Sequence, residues 1–223
     1  MKKLTLLFFF IVSAGELLSI VVQMNELHLV CKPLIMITLG AYYLQQALDN
    51  RSVLAIMAIL FSLGGDIALM MDSSDQMYFM VGLISFLISH IFYILVYRQH
   101  RLNEIADALV GIQKLRVAFP IVLAGTGLVV ILYPSLGALQ FPVMIYALVL
   151  VIMVLNALFR YGRTNFKSFW LVFGGAILFM ISDSILAINK FLHTVPNSGL
   201  LIMSTYIAAQ FLIIEGLLAH FDR

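Results

Sequence analysis

A helix crossing ~30 Å of hydrocarbon needs roughly 20 apolar residues. Runs of that length recur along this chain at Leu4–Val22, Val30–Leu48, Ser52–Met71, Met77–Tyr97, Val117–Tyr133, Leu139–Phe159, Ser168–Ile188 and Leu200–Phe221. Short polar breaks part them: Asn25-Glu26, Asp49-Asn50-Arg51, Asp72-Ser73-Ser74-Asp75, Tyr133-Pro134-Ser135, Arg160–Lys167 and Lys190–Ser198. Strands of a membrane barrel would be half as long and would alternate polar with apolar residues. The pattern predicts an all-α fold, a polytopic membrane bundle of about eight transmembrane helices. Composition agrees. Only 11% of the residues are charged and 63% are apolar, whereas a soluble domain carries about 25% charge to coat its surface. Cys31 is the single cysteine, so no internal disulfide forms, and a net charge of +2 is too small to suggest a nucleic-acid partner.

Met1-Lys2-Lys3 before an apolar stretch is also how a signal peptide begins. The stretch runs on to Val22, which favours a retained helix. The Lys/Arg bias of the loops then sets orientation. With the N-terminus inside, Lys2, Lys3, Arg51, Arg98, Arg101, Lys114, Arg116, Arg160, Arg163, Lys167 and Arg223 lie on the inner side, and only Lys32 and Lys190 on the outer. Both termini are therefore expected in the cytoplasm. In the connection from Arg98 to Arg116, Leu102, Ile105, Leu109 and Ile112 recur at helical spacing. An amphipathic surface helix and an ordinary polar connector both fit.

The chain reads as one membrane domain, 1–223, with the pattern of two repeat halves, 1–110 and 111–223. Asp66 precedes Asp183 by 117 residues, and Gly82 precedes Gly199 by the same interval. Four helices per half would give both halves one orientation and place Asp66 and Asp183 at the same depth.

Few ionisable residues fall inside the predicted spans: Glu16, Lys32, Asp66, His90, Asp183 and Glu215. A charge at the bilayer centre costs at least ~2.5–3.5 kcal/mol, so such residues normally face the bundle interior and serve a function. Glu16 has no counterpart in the other half, and Glu215 lies near a helix end. Asp66 and Asp183 stand out as a matched pair, each in the last third of an outward-running helix and each beside small residues (Gly64-Gly65, Ser182 and Ser184) that allow close helix approach. Lys32, placed at the mouth of the second predicted helix, has three readings: a grip on a lipid phosphate, a counter-charge for an aspartate, or a snorkelling helix end. His90 and Tyr93 share a face of the fourth helix, Tyr206 and Gln210 a face of the eighth, and Tyr146 follows Pro142 by one turn. No P-loop, dinucleotide glycine pattern or metal-binding His pair occurs.

Taken in order, Lys32-Pro33, Gly65-Asp66, Gly82…Phe86…His90…Tyr93, Pro142…Tyr146, Gly175-Ala176…Phe179…Ser182-Asp183 and Tyr206…Gln210 resemble the YhhN-like family of membrane lysoplasmalogenases. The resemblance covers nearly the whole chain. It implies hydrolysis of the vinyl ether bond of a lysoplasmalogen to a fatty aldehyde and glycerophosphoethanolamine or glycerophosphocholine. It implies a lysophospholipid substrate drawn from membrane lipid, with Asp66 and Asp183 as catalytic carboxyls and Lys32, His90, Tyr93, Tyr146, Tyr206 and Gln210 around the substrate. The chemistry suits two carboxyls, one giving a proton and one activating water or steadying a cation, as in glycosidases, and requires no metal or organic cofactor. A proton-coupled transporter or flippase of amphiphiles is the competing reading, since it too would use intramembrane Asp and His.

Overall fold

A computed structural model describes residues 2–71, 76–102 and 109–221. The described residues form eight helices of transmembrane length and no strand: α1 (Lys2–Val22), α2 (Asn25–Ala47), α3 (Val53–Met70), α4 (Gln76–Gln99), α5 (Gly111–Leu132), α6 (Gln140–Leu158), α7 (Phe166–Phe191) and α8 (Ser198–Leu218). All eight are apolar enough to cross a bilayer. The protein is an integral, multi-pass membrane protein. Its burial pattern suits lipid: Glu16, Ser62, Asp66, Ser89, His90, Asn156, Arg160 and Gln210 are buried, while α1 exposes Leu4, Leu7, Phe8, Ile11, Leu18 and Val21. Polar groups turn inward because no water is available to them in hydrocarbon.

Three boundaries differ from those read in the sequence. Asn25 and Glu26, taken as a break, form the first turn of α2, so α1 and α2 are joined only by Gln23 and Met24, with Gln23 in the left-handed region at φ 59°. Helix α5 starts at Gly111 rather than near Val117 because Lys114 and Arg116, both exposed, keep their charges off the helix while their stems lie along it. Helix α7 runs on to Phe191 and takes in Lys190. Of the suggested amphipathic connector, residues 103–108, including Ile105, lie outside the described residues. Leu102 and Leu109 are not helical, and Ile112 belongs to α5.

The contacts fall into two units, Met1–Val96 and Tyr97–Arg223. In the first, α1 packs on α2 and α2 on α3. Helices α3 and α4 meet in a single antiparallel register: Leu69 faces Gly82, Gly65 faces the Phe86 ring, and the Ser62 and Ser89 hydroxyls share a 2.8 Å hydrogen bond. In the second unit α5 packs on α6, α6 on α7, and α7 most closely on α8. Glycine makes that last approach feasible. A Cβ on Gly175 would stand 2.8 Å from the backbone oxygen of Ala209, whereas one on Gly174 would meet nothing within 4 Å. Gly175→Ala should therefore destabilise the protein by about 1–3 kcal/mol, the usual range for overpacking, and Gly174→Ala should not. Melting temperatures of the two variants in detergent test this pair.

Candidate active site

Asp66 sits four residues before the end of α3 and is 2% exposed. Its neighbours on α4 follow from the register. Gly65 lets the Phe86 ring lie against the α3 backbone. One turn deeper, Ser62 and Ser89 close the helix pair, with Ser89 Oγ also donating to the Ala58 carbonyl at 2.8 Å. Beside them His90 and Tyr93 are fully buried, and the Tyr93 side chain hydrogen-bonds with Ser62. The first unit thus places Asp66, His90 and Tyr93 along one α3–α4 seam. Lys32 is displaced from its expected position. Because α2 begins at Asn25, Lys32 is not at the helix mouth but about 10 Å along the helix by its rise, half-buried and next to Pro33 in the helix interior.

In the second unit the Tyr146 hydroxyl donates to Asp183 Oδ2 at 2.5 Å. Each is delivered by a helix end: Tyr146 follows Pro142, which occupies the first turn of α6 where its missing N–H costs nothing, and Asp183 lies in the last third of α7. Ser182 Oγ ties this level of α7 to the Ile202 carbonyl of α8 at 3.0 Å. One turn deeper the Phe179 and Tyr206 rings meet edge to face with centroids 5.5 Å apart. Gln210 follows one turn further along α8, fully buried. The sequence named Tyr146, Asp183, Tyr206 and Gln210. It did not show that the first two are bonded.

Glu16 is the weakest of the intramembrane candidates in the sequence, having no counterpart in the other half, and His28 carries no signal there. Yet Glu16 is fully buried and its Oε1 lies 2.8 Å from His28 Nδ1, with Ser19 Oγ 3.4 Å from the other carboxyl oxygen. The pair forms because His28 stands in the first turn of α2, directly across the tight α1–α2 turn.

A seam of buried carboxyl, imidazole and phenol inside an apolar bundle suits an amphiphile reached from the bilayer, and comparison with known proteins fits that setting. Residues 27–217 match the model of the YhhN family. This chain belongs to the YhhN family. Among similar proteins, lysoplasmalogenase TMEM86A of Homo sapiens is 37% identical over 161 residues, which is 70% of this chain and 61% of that protein. Lysoplasmalogenase TMEM86A of Bos taurus is 33% identical over 159 residues, with the same shares covered. Lysoplasmalogenase TMEM86B of Mus musculus is 39% identical over 79 residues, 35% of this chain and 31% of that protein. The match thus spans somewhat under two thirds of the length of the TMEM86A proteins. No solved structure matches this YhhN-family chain.

Proposed function

We propose that this YhhN-family protein is a membrane hydrolase that cleaves the vinyl ether bond of lysoplasmalogen, releasing a fatty aldehyde and glycerophosphoethanolamine or glycerophosphocholine. The observation that carries the reading is the similarity to TMEM86A over 70% of the chain. The intramembrane carboxyls supply the chemistry. A carboxyl delivers a proton to the outer alkene carbon and leaves an oxocarbenium ion on the carbon bonded to oxygen. Water adds to that carbon and gives up a proton to the second carboxylate. The hemiacetal then collapses to aldehyde and glycerol hydroxyl, so that one water is consumed and no oxidant or reductant is needed. Asp66 and Asp183 take the acid and base roles, as the paired carboxyls of glycosidases do. Tyr146 donates to one oxygen of Asp183 and so fixes the direction in which the carboxyl faces.

Deuterium reports the first step directly. With the aldehyde reduced to alcohol as it forms, turnover in D₂O should leave one deuterium on the carbon next to the former carbonyl. The saturated alkyl ether analogue should be untouched. Product without deuterium, or cleavage of the saturated ether, would rule out alkene protonation.

We assign Lys32 to the lipid phosphate. Lys32→Met should raise KM more than it lowers kcat, because it removes binding common to the ground and transition states. A fall in kcat alone would instead make Lys32 a partner of the acidic residues.

A further inference from the structure

The second unit carries a group of arginines at the end of α7 opposite Asp183. Asn156, 6% exposed, accepts at its single side-chain oxygen from both Arg98 Nε and Arg101 Nη2, each at 3.0 Å. Arg101 Nη2 also donates to the Asn156 backbone oxygen at 2.7 Å. Arg160 is fully buried and, among the described residues, donates to neutral acceptors: the His100 and Ser168 carbonyls, each at 3.3 Å, and Ser168 Oγ at 2.8 Å. The Leu102 amide donates to the Arg163 carbonyl at 2.7 Å and ties the two connections together. Among the described residues no carboxylate pairs with any of these guanidiniums. Burial, with Arg163 and Arg98 nearby, lowers the Arg101 pKa to about 10. Burial likewise brings Arg160 down to about 10, so at neutral pH Arg101 and Arg160 remain charged.

Like charges gathered on a neutral carboxamide repel one another until an anion joins them. Arg98 is exposed and Arg101 and Arg163 are half-buried, and Arg101 Nε is buried without a hydrogen-bond partner among the described residues, so donors remain for an oxyanion, the group that arginine binds as phosphate. An apolar groove that ends at the level of Asn156 along α6 suggests a lipid as the source of that phosphate. Leu155 ends an apolar groove of about 460 Å³ between α5 and α6, lined also by Val122, Gly125, Phe141, Leu148 and Val151. Lys114, over the Phe159 ring at 4.1 Å, adds a further positive charge at this end of the helix pair. Asp183 lies fifteen residues beyond Ser168 on α7, roughly 22 Å away along the helix, so this is not the site proposed for hydrolysis.

We propose that Arg98, Arg101 and Asn156 bind the phosphate of an anionic phospholipid whose acyl chain lies in the α5–α6 groove. The guanidiniums select a net negative head group over a zwitterionic one. The site lies on the membrane face that the Lys/Arg bias assigns to the cytoplasm.

The test uses delipidated protein in detergent, given phosphatidylglycerol, phosphatidylcholine or inorganic phosphate. Phosphatidylglycerol should raise the melting temperature by mass action and remain bound in native mass spectrometry. Phosphatidylcholine and inorganic phosphate should do neither. Arg98→Gln with Arg101→Gln should weaken phosphatidylglycerol binding at least tenfold. Leu148→Trp, which fills the groove, should weaken the same binding and leave the arginines in place. Three results would overturn the proposal: equal stabilisation by phosphatidylcholine, stabilisation by inorganic phosphate alone, or phosphatidylglycerol binding unchanged in either variant.

Discussion

Asp66→Asn and Asp183→Asn are each expected to leave less than a tenth of the parent's turnover while the protein remains folded and inserted. The substitution keeps size and shape but removes the group that gives or takes a proton. At position 183 an Asn oxygen in the same place still accepts from Tyr146. For Asp66, 2% exposed between α3 and α4, the carboxamide fills the same space. A tenfold loss is about 1.4 kcal/mol of barrier, a small demand on a residue that carries a proton in the reaction. The measurement is aldehyde release by each variant, with melting temperature and gel filtration in detergent to show that the fold is retained. A variant that keeps more than a tenth of the activity removes its aspartate from the acid and base roles.

Tyr146→Phe should lower kcat/KM by about 10- to 150-fold. A hydrogen bond to a charged group is worth about 1.5–3 kcal/mol, and each 1.36 kcal/mol is tenfold in rate. Phe keeps the ring in place and removes only the hydroxyl that donates to Asp183 at 2.5 Å, so the melting temperature should move little. The two residues act as a unit, so Tyr146→Phe combined with Asp183→Asn should be no slower than Asp183→Asn alone. Losses that multiply in the double variant would instead mean that Tyr146 acts independently of Asp183, on the substrate itself.

Hydrophobic length made the eight helices legible, because each span must satisfy its own backbone in lipid and so must be long and apolar. Their ends were less so. Asn25 and Glu26 read as a break, yet a helix entering from the interface accepts polar residues in its first turn. That error moved Lys32 to a helix mouth and hid the Glu16–His28 pair, which exists only if α2 begins early enough to set His28 across the turn. The intramembrane residues Asp66, His90, Asp183 and Gln210 were legible because charge and polarity in lipid are costly and therefore conspicuous. The Tyr146–Asp183 bond was not, since residue spacing does not reveal which helices become neighbours. The arginine group was least visible of all. Loop arginines look like orientation signals, and only folding showed that Asn156 holds two of them together.

The most direct test of the proposed activity is to give purified protein in detergent, with no sealed compartment, a lysoplasmalogen substrate and to measure aldehyde release over time. A hydrolase needs no second compartment, so the protein should release aldehyde and glycerophospho head group in equal amounts, at a rate proportional to protein, and the Asp66→Asn and Asp183→Asn proteins should not. Absence of aldehyde from the folded parent protein in detergent, together with movement of the lipid between leaflets when the protein is reconstituted in vesicles, would contradict hydrolysis and establish transport in its place.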